Sequence, residues 1–121
     1  MTPLFALTLA LTVSTTPVAV PLEAPERTLQ ATIFAYASTV GQTDATPNTT
    51  ANGQQVQDGI VANNCLPFGT KVTFPNLFGD KQFVVADRMN ARYGCNTFDI
   101  WFSSTYAAKQ FGKQYSSVNV Y

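Results

Sequence analysis

The sequence predicts a mainly β chain that closes as a small barrel with one short helix. Three observations carry this reading. Short apolar runs separated by Gly, Pro, Asn and Asp recur through most of the 121 residues, and only one stretch combines helical spacing with caps at both ends. The length suits one hydrophobic core and no second.

Taken in order, residues 1–22 carry no charged side chain and contain the apolar run from Leu4 to Val13. That run is short for a membrane span and close to the length of a secretory signal core, so a signal peptide or an uncleaved N-terminal anchor is expected. The protein is then secreted or held in the cell envelope, and the anchor is its only expected membrane contact. Residues 23–28, with Glu23, Pro25 and Glu26, read as a polar linker, and residues 29–121 as the barrel domain.

Residues 29–38 alternate as a strand, with Ala31, Ile33, Ala35 and Ala37 on one face and Thr32, Phe34 and Tyr36 on the other. Residues 41–57 are rich in Thr, Asn, Gln and Gly with little to bury, a length and composition typical of a binding loop. Within it Asn48-Thr49-Thr50 matches the short N-glycosylation pattern, which has meaning only in a eukaryotic secretory route. A brief apolar run, Ile60-Val61-Ala62, precedes the turn Leu66-Pro67-Phe68-Gly69. Strands follow over residues 70–74 and 81–87, separated by the turn 76–80, and then over 97–102 and 115–121. Between the last two, Ser103 or Ser104 is a suitable N-cap, Ala107, Ala108 and Phe111 form an apolar stripe, and Gly112 fits the position after a helix end.

Composition excludes several chemistries. Seven Lys+Arg balance seven Asp+Glu, and no basic run exists to bind nucleic acid or an anionic surface. With no histidine, Ser-His-Asp and Cys-His catalysis and the common zinc sets are ruled out, and no metal or cofactor is expected. Cys65 and Cys95 are too few and too distant in sequence for a thiolate metal site. They form a disulfide if the domain is exported, or remain two buried thiols if it is not.

Acid–base chemistry falls to the carboxylates, and two of them are candidates. Alternation over residues 97–102 sets Phe98, Ile100 and Phe102 on one face and Thr97, Asp99 and Trp101 on the other. An aspartate beside an indole suits carbohydrate chemistry: the ring stacks on a sugar's C–H face, and burial against it raises the carboxyl pKa. The alternative is a solvated strand aspartate beside a tryptophan that covers the barrel. Asp87 ends the apolar run Phe83-Val84-Val85-Ala86, and a strand end is a common place for a cleft residue. Its alternative is an ion pair with Arg88 or Arg92. Asp58 and Asp80, next to glycines, read as turn residues, and Asp44 as a loop cap.

The ordered blocks Leu66-Pro67-Phe68-Gly69-Thr70, Val85-Ala86-Asp87, Phe98-Asp99-Ile100-Trp101-Phe102 and Ala107-Ala108-Lys109-Gln110-Phe111-Gly112 resemble the three-aspartate (3D) domain family. That family is similar to the C-terminal part of membrane-bound lytic murein transglycosylase A and belongs with the rare lipoprotein A and expansin barrels. Thr50-Ala51-Asn52-Gly53 is similar to a Thr-Ala-Ser-Gly element of the same group.

The resemblance implies a six-stranded double-psi β-barrel with a groove for peptidoglycan glycan strands, in which Asp99 is the catalytic acid and Asp87 its companion. The family's first aspartate has no counterpart, since Val61-Ala62-Asn63-Asn64 stands there, and its Asp-Thr-Gly-Gly block is Asp87-Arg88-Met89-Asn90 here. Asn63 or Asn64 is expected to keep a hydrogen bond of the missing acid. Trp101, Tyr36 and Thr50 are the expected groove residues. The activity implied is lytic transglycosylase-like, or hydrolytic cleavage of O-glycosidic bonds, in cell-wall turnover. A non-catalytic, expansin-like wall-binding barrel is the alternative.

Overall fold

The computed structural model describes residues 24–38, 49–53 and 55–121. The expected leader, Glu23, Asp44 and Asn48 lie outside the described residues, and so does most of the polar loop.

Six strands form one closed barrel: β1 (Arg27–Tyr36), β2 (Ile60–Ala62), β3 (Lys71–Thr73), β4 (Gln82–Asp87), β5 (Thr97–Trp101) and β6 (Gln114–Val120). Around the barrel they run β1-β5-β2-β4-β3-β6, with β6 returning to β1. Two neighbouring pairs are parallel, β1 with β5 and β2 with β4, and the remaining four are antiparallel. Each parallel pair requires a crossover, and the two crossovers interlock because β5, the partner of β1, also lies against β2. This is the connectivity of a double-psi barrel. Barrel closure leaves no free sheet edge.

β1 begins at Arg27 rather than after residue 28, because the Glu26 N–H already donates to the Val120 carbonyl at 2.7 Å and carries the ladder into the expected linker. The helix α2 (Thr105–Phe111) has the expected ends. The Ser104 side chain accepts from the Ala107 N–H, and Gly112 follows with φ 66°. The segment read as a turn at residues 76–80 contains one turn of helix, α1 (Pro75–Phe78), with Pro at its start, where a missing N–H costs nothing.

Alternation fills the core. Ala31, Ile33, Val61, Val72, Phe83, Val85, Phe98, Ile100, Val118 and Val120 are all buried in one cluster. Phe74, fully buried, joins the barrel to its helical end: its ring centroid lies 5.1 Å from Phe83 and 5.8 Å from Phe98, both edge-on. Phe78 of α1 stacks on Phe111 of α2 at 5.9 Å, and Phe111 meets Phe102 at 5.2 Å. The two helices thereby pack together over one region of the barrel.

Candidate active site

On β5 the burial alternates as the sequence predicts, with Phe98 and Ile100 buried and Thr97, Asp99 and Trp101 partly exposed. Asp99 is in register with Ala62 of β2 on one side and with Phe34 of β1 on the other. Ala62 is in turn the partner of Asp87 on β4. One row therefore crosses four strands as Asp87, Ala62, Asp99 and Phe34, and directly paired residues present their side chains to one face. Two strand spacings put the aspartate backbones about 10 Å apart, with only a methyl group between them.

Asp87 reaches this face through an irregularity. Val61 pairs with Val85, yet the next residue, Ala62, pairs with Asp87, so the register steps past Ala86. Strict alternation would put Asp87 on the inner side with Phe83 and Val85. The extra residue turns it onto the outer side with Asp99, a common use of bulges beside active sites.

Three donors then hold Asp87. The Tyr36 hydroxyl donates to Oδ2 at 3.1 Å, and the N–H groups of Ala51 and Arg88 donate to Oδ1 at 2.9 Å each. The alternative reading, an ion pair of Asp87 with Arg88 or Arg92, is not formed among the described residues. The Arg88 guanidinium donates to the carbonyls of Asn63 and Leu66 at 2.8 Å and lies 3.9 Å over the Phe68 ring, while Arg92 lies over Tyr93. Asp58 is not only a turn residue, since Lys81 donates to both its oxygens at 2.8 and 3.0 Å.

Asp99 has the opposite environment. Its Oδ1 is buried and has no hydrogen-bond partner among the described residues. Burial first, and then the negative charge of Asp87, push its carboxyl up to about 7. Tyr36 is shifted upward too, by burial and then by its charge and hydrogen-bond contacts with Asp87 and the charge of Asp99, so its hydroxyl stays a donor. Two carboxylates in one row thus have distinct environments, Asp87 held by three donors and Asp99 buried with its pKa raised.

The other predicted residues divide. Tyr36 and Trp101 are register partners in the row beside Asp99, and Trp101 donates its indole N–H to the Ser38 hydroxyl at 2.7 Å. Thr50 is buried, with its hydroxyl bonded to the Asn52 side chain, and contributes by shaping the turn whose Ala51 N–H reaches Asp87. Asn63 has no surface to offer a ligand. It is 0% exposed, donates to the carbonyls of Cys95 and Thr97, and accepts from the N–H groups of Cys65 and Leu66. Asn64 spans the same gap, donating to the carbonyls of Asn90 and Tyr93 and accepting from the Met89 N–H. Both amides clamp two loops together, and the disulfide Cys65–Cys95 closes the same junction with Cα atoms 5.2 Å apart. Since residues 88–96 join Asp87 directly to the strand of Asp99, the clamp fixes one aspartate relative to the other.

Three contributors were not singled out from the sequence: Ala62 as the spacer, Ala51 as a donor and Phe34 as the row neighbour of Asp99. Phe34 has a sequence signal in the face it shares with Tyr36, and Ala51 in the Thr50-Ala51-Asn52-Gly53 element, whereas the spacer role of Ala62 has none. Among the described residues no group of His, Cys, Asp and Glu is arranged to hold a metal ion. No protein-family model and no curated protein matches the chain.

Proposed function

We propose that this barrel cleaves the glycosidic bonds of peptidoglycan as a lytic transglycosylase-like enzyme of the three-aspartate domain type. The observation that carries the proposal is the pairing of Asp99, whose carboxyl is pushed up to about 7, with Asp87 on the same row of the barrel. Protonated Asp99 donates to the glycosidic oxygen as the bond from that oxygen to the anomeric carbon breaks. The ionised Asp99 then takes the proton of the sugar's own 6-hydroxyl, whose oxygen bonds to the anomeric carbon and closes a 1,6-anhydro ring. One carboxyl is acid and then base, and no water is consumed. Asp87 opposes positive charge on the ring and keeps the Asp99 proton in place, while Trp101 offers an apolar face to the glycan. Export to the cell envelope accords with the disulfide, since such bonds persist in oxidising compartments.

Digestion of purified murein, followed by mass spectrometry of the products, tests this reading. Anhydro-muropeptides from the wild type and none from Asp99→Asn are expected. Products carrying an added water would make the protein a hydrolase acting through a second carboxylate. Glycan binding by both proteins without any product would leave an expansin-like binding barrel.

A further inference from the structure

We infer a second glycan subsite on the outer face of β6, β1 and β5, accepting a neutral pyranose unit of the strand whose bond lies at Asp99. The inference rests on the proposed function for the identity of the glycan, and on separate residues for the site. A cleft of ≈ 370 Å³ lies there, lined by Gln30, Thr32, Asn96, Thr97 and Tyr115 together with Ala31 and Ser116. Its shape follows from the register. Thr32 pairs with Tyr115 on one side and with Thr97 on the other, so two small hydroxyl residues lie beside a large ring.

Tyr115 is 73% exposed, and the part of its ring not covered by the Lys113 ammonium offers an apolar surface to the C–H face of a sugar. Polar groups around it match sugar hydroxyl or acetamide groups. Gln30 donates to Ser117 at 3.0 Å and retains its carbonyl oxygen as an acceptor. Among the described residues no hydrogen bond engages the side chains of Thr32, Thr97 or Asn96. None of the lining residues is a carboxylate or a cation, and the nearby Lys113 ammonium is held against the Tyr115 ring, so the lining itself suits a neutral sugar.

The cleft lies on the row of paired residues next to that of Asp99 on the same face. On β1, Thr32 and Phe34 are two residues apart, about 6.6 Å, and point to the same side. Phe34 is the register partner of Asp99 and packs against Tyr93 at 5.7 Å. Lys113 bridges the two regions, its ammonium 5.6 Å from the Phe34 ring and 5.4 Å from the Tyr115 ring. A glycan lying along β1 would therefore touch Tyr115 in the sugar unit next to the one at Asp99 or the unit beyond it.

The test compares wild type, Tyr115→Ala and Gln30→Ala for turnover of long murein strands and of a short glycan fragment, and titrates Asp99→Asn with chitooligosaccharides of two to six sugars while following backbone amide shifts. Losses of roughly tenfold in kcat/KM on long strands but not on the short fragment, through KM and with an unchanged pH profile, are expected, together with shifts at residues 96, 97 and 115. Equal chain-length dependence in all three proteins, with no shifts at those amides, overturns the subsite even if anhydro products form. Oligosaccharide binding that shifts those amides and is lost on Tyr115→Ala supports it even if no product ever forms, and only the enzymatic reading then fails.

Discussion

Asp99 keeps its proton to about pH 7 because its carboxyl is buried and faces the charge of Asp87 across the Ala62 methyl. The same burial sets how stability depends on pH. The ordinary value is 3.8, so between about pH 4 and 7 the folded chain holds a proton that the unfolded chain has released. Stability therefore falls as pH rises through that window and levels off above it. Asp99→Asn keeps a neutral group at the site and removes this dependence. The variant is expected to exceed wild type in urea stability at pH 8 by on the order of 2 to 4 kcal/mol, with the difference narrowing toward pH 4. An equal difference at both pH values would mean that folding does not raise the Asp99 pKa. If the proposed cleavage is correct, product formation by the wild type should decline as pH rises past about 7, because the proposed step begins from the protonated acid.

At the scale of elements, the strands were legible wherever alternation was regular. Residues 97–102 placed Asp99 and Trp101 together, and Ser104 and Gly112 marked the ends of α2. The register step at Ala86 was not legible, since alanine carries no turn or bulge signal, and the position of Asp87 on the outer face depends on it. The role of Asn63 was hidden for a related reason. An amide in a polar segment looks ready for a ligand, and only the fold reveals that two carbonyls and two N–H groups converge on it. Asn63→Ala leaves those four backbone groups without their partner and is expected to cost on the order of 3 to 5 kcal/mol in denaturant unfolding. At a temperature where the variant is still folded, amides of residues 63–66 and 88–96 should exchange faster than in wild type, and unchanged exchange there would mean that Asn63 does not hold the two loops together.

Across the whole molecule, two sets of interactions act on different regions. The aromatic cluster around Phe74 and the closed ladder of six strands form the body of the barrel, whereas the disulfide, Asn63, Asn64 and Arg88 hold the loops between Ala62 and Thr97 at its rim. Both aspartates border the rim, so the barrel can stay folded while the distance between them loosens. The disulfide spans 30 residues, which by chain entropy corresponds to about 3 to 4 kcal/mol. In a domain of this size Cys65→Ser with Cys95→Ser should lower Tm by roughly 10 to 20 °C. Hydrogen exchange separates the two regions. Amides of Phe83, Phe98 and Val118 should remain the most protected, while those of residues 63–66 and 88–96 exchange much faster than in the oxidised protein. Uniform loss of protection would mean that the rim and the barrel unfold as one unit. The expected pattern instead places the geometry of Asp87 and Asp99 under the control of the loops that join them, with the core beneath largely independent of it.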